Sequence, residues 1–241
     1  SWTKGPEIPS GDDRPNIILV LADDMGYNDI SAHNGGAGDG TLQTKNIDAL
    51  AKSGMLFSRG YAANATCAPS RASIMTGKYP TRFGYEFTPV PAAGRLIMQW
   101  LAEEDDPVLR QRIDNKVASK LPPYFEQGMP TEQKTIAEVL SDAGYYTAHI
   151  GKWHLGHANG MDPQSQGFKD SLQMVGPLYL PEDHPEVVNA KNDDRIDQMV
   201  WGLGQYSAKF NDSNYFAPDK YLTDYYTDEA LKVIENNKNR P

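Results

Sequence analysis

Three short stretches hold side chains whose types and spacing suit chemistry. Asp23 and Asp24 close the apolar run Ile17 to Ala22 in "NIILVLADDMG", where two uncompensated carboxylates would be expensive to bury. A hard cation would offset that cost, because oxygen ligands favour Ca²⁺ or Mg²⁺ over zinc, although a solvated turn or a helix cap accommodates such a pair as well. No Cys/His spacing in the chain matches a structural zinc site. The single cysteine, Cys67, opens "CAPSRASIMTGK". Pro69 suits the first turn of a helix, which places Cys67 at its positive end, where a thiol pKa falls and an oxyanion is favoured. Arg71, about one turn along, can present a planar donor fork to the same place. A small core-filling cysteine beside a surface arginine fits those residues too. In "GYYTAHIGKWHLG", Lys152 and His154 stand two apart, so an extended backbone points both to one side. A cation beside an imidazole suits binding and proton transfer on an anionic ester, while a solvated lysine and a buried histidine form the plainer alternative. His33, His149, His157 and His184 have weaker contexts and receive no assignment.

These residues need elements to hold them. The run Ile17–Ala22 predicts a central strand buried on both faces. "TKNIDALAKSGMLFSRGYA" predicts a helix capped at Asn46, with Ile47, Leu50 and Ala51 on its apolar face and Gly54 stopping it before a second strand. Farther on, Ile136, Val139, Leu140 and Ala143 form a helical stripe that Gly144 ends, and Tyr145 to Ile150 reads as a strand. "YLTDYYTDEALKVIENNKNRP" predicts a last helix of about a dozen residues. Alternating units of this kind predict an α/β fold, a mostly parallel central sheet with helices on both faces. Ligands in such folds sit beyond the carboxyl ends of the strands, where Asp23, Asp24, Lys152 and His154 fall. Residues 92–130 and 176–220 are too long for plain connectors and read as insertions.

Bulk composition narrows the partners. Lys and Arg number 23 against 32 Asp and Glu, a formal charge of -9, which disfavours capture of nucleic acid or of an anionic membrane. No run reaches the roughly 18 apolar residues of a membrane span. The polar start "SWTKGPEIPSGDDRPN" reads as a mature terminus whose signal peptide has been removed, implying a periplasmic or secreted protein.

Together the three stretches resemble the type I, formylglycine-dependent sulfatases of the alkaline phosphatase superfamily. "ATCAPSRASIMTG" matches the first signature of that family, Cys-x-Pro-Ser-Arg followed after four residues by Thr-Gly, and "GYYTAHIGKWH" matches the second. The resemblance covers most of residues 14–170 and returns at 220–241, and it implies an alkaline phosphatase-like fold. It implies that Cys67 is oxidised to formylglycine, whose hydrate attacks the sulfur of a sulfate ester; collapse of the diol then expels sulfate by breaking a C–O bond. It further implies that Asp23, Asp24 and the oxygen on residue 67 ligate Ca²⁺, with Mg²⁺ as the alternative ion. Arg71 would orient the diol, Lys152 contact diol and sulfate, and His154 hold a diol hydroxyl. Lys78 stands at a position the family does not fix.

Members of that family usually run to twice this length, so residues 1–241 read as the N-terminal part of a catalytic domain. The C-terminal remainder would supply the other metal ligands, a second sulfate-binding lysine and a histidine for the leaving group. The expected substrate is a sulfated carbohydrate, such as a polysaccharide, with Trp201, Tyr206, Phe210, Tyr215 and Phe216 available to stack on sugar rings. The alternatives are a phosphonate or phosphodiester hydrolase of the same superfamily, or a non-catalytic relative that binds sulfated glycans.

Overall fold

The computed structural model describes residues 1–90, 114–175, 184–185 and 207–241. Trp201 and Tyr206, and most of the two expected insertions, lie outside them. Six helices occur among the described residues: α1 (Ser31–Asn34), α2 (Lys45–Ser53), α3 (Cys67–Thr76), α4 (Asn115–Ala118), α5 (Ile136–Asp142) and α6 (Leu222–Asn237). Three strands, β1 (Ala148–Gly151), β2 (Asp170–Met174) and β3 (Ala208–Phe210), form one sheet in that order. β1 and β2 are parallel, with Ala148 opposite Asp170 and Gly151 opposite Gln173, whereas β3 runs antiparallel to β2 with Lys209 opposite Gln173.

The mostly parallel sheet expected from the sequence is thus a small mixed one among the described residues. Ile17–Leu21 form no ladder there and stay open, with Val20 87% exposed. The expected second strand after Gly54 is likewise irregular, and Phe57 is 73% exposed. The physical reason is non-local: an apolar strand is stable only where hydrogen-bonding neighbours and covering side chains meet it. Helix α2 forms where expected, but its N-cap is Thr44 rather than Asn46, and Ile47 and Leu50 face outward. Helix α1 is joined to it through Asp48, which accepts from Ser31 Oγ at 2.7 Å and from Thr44 Oγ1 at 2.8 Å.

Around β1 the local signals hold. Thr135 and Glu138 make a capping box on α5, each side chain accepting from the other's backbone N–H. The buried residue of that helix is Ala137, while Ile136 and Val139, counted in the expected stripe, are exposed. Gly144, at φ 85°, turns the chain from α5 toward β1. Close approach also decides Gly167, at φ 99°, where a Cβ would lie 2.3 Å from the backbone nitrogen of Glu138.

One face of the sheet packs apolar residues. Leu172 and Ala208 meet Trp2, with Ile150, Phe210, Phe216, Tyr225, Tyr226 and Val233 around them, so α6 and the N-terminal segment cover this face. Trp2 is anchored by donation from its indole N–H to Glu229 at 2.7 Å. Phe210 and Phe216, candidates for sugar stacking, are part of this packing, and Tyr215 between them is 68% exposed. The opposite face carries His149, Ser171, Gln173 and Lys209, by the alternation of side chains along each strand.

Candidate active site

Helix α3 begins at Cys67 itself. Thr66 is its N-cap in extended geometry, and the Thr66 N–H and hydroxyl both donate to Asn64 Oδ1 at 2.9 Å, which fixes the approach of the chain. Cys67 therefore occupies the first helical position, where backbone N–H groups have no intrahelical acceptor and the helix dipole is positive. Gly77 at φ 67° closes the helix. Ala68 and Ala72, fully buried on one side of α3, pack with Trp153 and Leu155 from the second signature, together with Tyr85 and Met129. Two small residues one turn apart let α3 sit close to the 152–155 segment, and the juxtaposition of the two signatures rests on that contact.

The polar side chains meet above this apolar cluster. Arg71 donates through Nη2 to Asp23 Oδ1 at 2.9 Å, and Lys152 donates through Nζ to Asp23 Oδ2 at 2.7 Å. Arg71 also donates through Nη1 to the backbone carbonyl of Lys152 at 2.6 Å. Side-chain exposure is low for all three, 12% for Arg71, 21% for Asp23 and 19% for Lys152. Burial pushes the Asp23 carboxyl up, but the hydrogen bonds and charges of Lys152 and Arg71 outweigh it and hold Asp23 below the usual carboxylate range.

Asp24 and His154 both have left-handed backbones, at φ 59° and 62°. Such conformations cost a non-glycine residue on the order of 1–3 kcal/mol and concentrate at functional sites. His154 is kept neutral, its pKa lowered to about 4 by desolvation and then by the charges of Lys152 and Arg71. Two buried nitrogens here, His154 Nδ1 and Arg71 Nε, have no hydrogen-bond partner among the described residues. Both are free to face an anionic oxygen or a hydroxyl.

Two residues without an assignment from sequence take part. Tyr85 is buried, which pushes its phenol pKa up, and it donates from its hydroxyl to the carbonyl of His154 at 3.3 Å. His149 packs its ring against Trp153 and Phe168, both with centroids at 5.4 Å, and shares a hydrogen bond with Ser171 Oγ at 3.1 Å. Tyr85 lies outside both signatures, and His149, though inside the stretch that matches the second, was given no role from sequence. Lys78 instead donates to Gln133 at the exposed surface.

Asp23 and Asp24 provide adjacent hard oxygen donors, the chemistry a Ca²⁺ or Mg²⁺ ion requires. Each oxygen of Asp23 makes one side-chain hydrogen bond, leaving a lone pair for a cation. No group of three His, Cys, Asp or Glu side chains suited to a metal occurs among the described residues, so the two aspartates are a partial ligand set.

The sulfatase family model matches residues 15–241, nearly the whole chain. The chain belongs to the sulfatase family. It is 30% identical to N-acetylgalactosamine-6-sulfatase of Mus musculus over 226 residues, covering 94% of this chain and 37% of that relative. It is 37% identical to arylsulfatase G of Rattus norvegicus over 155 residues, covering 64% of this chain and 23% of that enzyme. Among solved structures, Ps i-CgsB in complex with k-i-k-neocarrahexaose aligns with a TM-score of 0.65 and 29% identity, over 95% of this chain and 43% of that one. This sulfatase chain therefore spans well under half the length of these relatives, covers the N-terminal part of the family, and has its alkaline phosphatase-like α/β fold.

No helix among the described residues is long and apolar enough to cross a membrane.

Proposed function

We propose that the whole protein, a secreted or periplasmic enzyme, removes sulfate from a sulfated carbohydrate, with Cys67 converted to formylglycine and a Ca²⁺ or Mg²⁺ ion held in part by Asp23 and Asp24. One observation carries this reading: the convergence of Asp23, Arg71, Lys152 and His154 beside the helix start at Cys67. A sulfated sugar is supported by the relatives, one named N-acetylgalactosamine-6-sulfatase and another solved in complex with k-i-k-neocarrahexaose.

The cation, when bound, acts as a Lewis acid that offsets charge on the nucleophilic and sulfate oxygens. A hydrated formylglycine at position 67 offers two hydroxyls: one oxygen bonds to sulfur as the ester S–O bond breaks, and loss of the second proton lets C–O cleavage release sulfate and restore the aldehyde for rehydration by water. Arg71 and Lys152 orient the sulfate and stabilise the charge that grows on its oxygens, in a site already preorganised by their bonds to Asp23. His154, neutral and with a free buried nitrogen, accepts the diol proton. Tyr85 holds the His154 backbone in its left-handed conformation. The remaining cation ligands, the second sulfate-binding lysine and the proton donor to the departing alcohol belong to polypeptide C-terminal to residue 241.

The test is mass spectrometry of the Cys67 peptide in full-length protein from its native host, combined with turnover of an aryl sulfate. Formylglycine at 67 and sulfate release are expected; an unmodified thiol in that protein overturns the reading, and preference for aryl phosphonate esters over aryl sulfates reassigns the substrate.

A further inference from the structure

Three residues before Lys152, His149 stands opposite Ser171 in the register of β1 and β2, so the two side chains share one face of the sheet. Ser171 is 3% exposed, and Asn211 holds its main chain from both ends. The Ser171 N–H donates to Asn211 Oδ1 at 2.7 Å, and the Ser171 carbonyl accepts from the Asn211 N–H at 2.8 Å. Its hydroxyl is thus a fixed point, 3.1 Å from His149 Nδ1. Trp153 and Phe168 close on the imidazole with centroids at 5.4 Å, and they meet each other edge to face at 5.8 Å. That packing alone would suit a leucine or a phenylalanine equally well; the polar contacts are what require an imidazole.

The ring also hydrogen-bonds the backbone of Lys152, in the sense that favours its proton, so the ring donates and the Lys152 carbonyl accepts. The same carbonyl accepts from Arg71 Nη1 at 2.6 Å, and a carbonyl oxygen has two lone pairs for two donors. Desolvation, with the Arg71 charge adding to it, keeps the imidazole neutral. One neutral tautomer then satisfies every partner: Nδ1 accepts from the Ser171 hydroxyl, and Nε2 carries the proton given to the carbonyl.

The Lys152 carbonyl needs such a hold. The ladder between β1 and β2 stops at Gly151, whose φ is 103°, and His154 is left-handed at φ 62°, so the Lys152 peptide lies just past the last residue that the sheet orients. We propose that His149 is a positioning residue: held by Ser171, it serves as the second donor to the Lys152 carbonyl and so keeps Arg71 and Lys152 aligned for the sulfate ester. A chain of contacts then runs from Asn211 and Ser171 on β2, through His149 and the Lys152 carbonyl, to Arg71 and Asp23. The effect on rate rests on the proposed function above; the linkage between His149 and Arg71 does not.

The experiment uses the full-length enzyme. His149→Leu fills the space without a donor and should lower kcat on an aryl sulfate about tenfold while KM stays within about twofold. His149→Gln places an amide N–H where Nε2 stands and should bring kcat back to within about threefold of wild type. In an Arg71→Lys background, His149→Leu should cost less than about twofold, because the guanidinium that His149 aligns is already gone. Melting curves verify folding, and Ser171→Ala, which removes only the hydroxyl that holds the ring, repeats the cycle if His149→Leu does not fold. Nitrogen NMR of the enzyme labelled at histidine gives a readout that needs no turnover. It should show a neutral His149 ring protonated on Nε2, identified by its loss in His149→Gln, whose shifts move in Arg71→Lys and in Ser171→Ala. Unchanged kcat in His149→Leu, fully additive losses in the double variant, or a ring signal indifferent to Arg71→Lys overturns the positioning role. A wild type that leaves aryl sulfates intact sinks the hydrolase reading alone, since the ring signal still decides the linkage.

Discussion

Arg71 donates to the backbone carbonyl of Lys152 at 2.6 Å while its other terminal nitrogen holds Asp23. One guanidinium thus joins the apolar run before Asp23, the cysteine helix and the segment after β1. Lysine has a point charge in place of the planar fork and cannot serve both acceptors. Arg71→Lys should lower kcat/KM on an aryl sulfate by about 10²-fold or more, as expected for loss of a preorganised donor. Steady-state kinetics on the full-length enzyme checks this, with kcat falling more than KM rises.

Cys67→Ala removes the group proposed above to become the nucleophile but changes little volume at a half-exposed first helical position. Turnover should drop by about 10⁴-fold or more while the melting temperature stays within a few degrees, because alanine is an excellent helix former. Sulfate release and calorimetry on the same preparation separate the two effects.

Asp23→Ala leaves Arg71 and Lys152 as two adjacent, poorly solvated cations and removes a proposed cation ligand. Bound Ca²⁺ or Mg²⁺, measured by elemental analysis after dialysis, should fall to background, and turnover should not recover on adding either ion. In the wild type, chelation should abolish turnover and re-addition should restore it.

Acid should destabilise the protein through its neutral histidines. Desolvation lowers His149 to about 4 from an ordinary 6.5, with the nearby Arg71 charge adding to the fall. The folded state therefore binds fewer protons than the unfolded state below pH 6.5, so stability is full above that value and is lost as pH falls toward 4. Denaturant midpoints measured between pH 7 and 4 should decline in the wild type, and His149→Gln should flatten part of that decline.

Gly167→Ala should destabilise by at least about 2 kcal/mol, combining a left-handed backbone with backbone overlap. The added Cβ would meet the N–H end of α5 at Glu138, 2.3 Å away. A thermal melt should show a drop of several degrees, and Gly144→Ala, which has the same sign of φ but its nearest neighbour, an Arg14 side-chain atom, at 3.5 Å, should lose less.

Much of the site was legible because its signals are local. Pro69 after Cys67 and Gly144 after α5 act within one turn, and the helix ends fall where these residues require. Lys152 and His154 follow β1 as expected, but His154 is left-handed at φ 62° rather than extended, and Lys152 pairs with Asp23. The predicted strand at Ile17–Ala22 was not borne out among the described residues, since a strand's existence depends on partners distant in sequence. Tyr85, outside both signatures, and His149, inside the second but without an assigned role, were placed only by their packing.

By itself the sequence determined which residues could do the chemistry: a cysteine at a helix start, an arginine one turn on, paired aspartates, a lysine and a histidine. Tertiary structure decided that Arg71 and Lys152 share Asp23, that His154 stays neutral, and that of the described aromatics Tyr215 faces outward while Phe210 and Phe216 are packed. The division has a physical basis. Caps and turns depend on a few consecutive backbone torsions, whereas charge sharing, desolvation and stacking depend on which distant segments the core brings into contact.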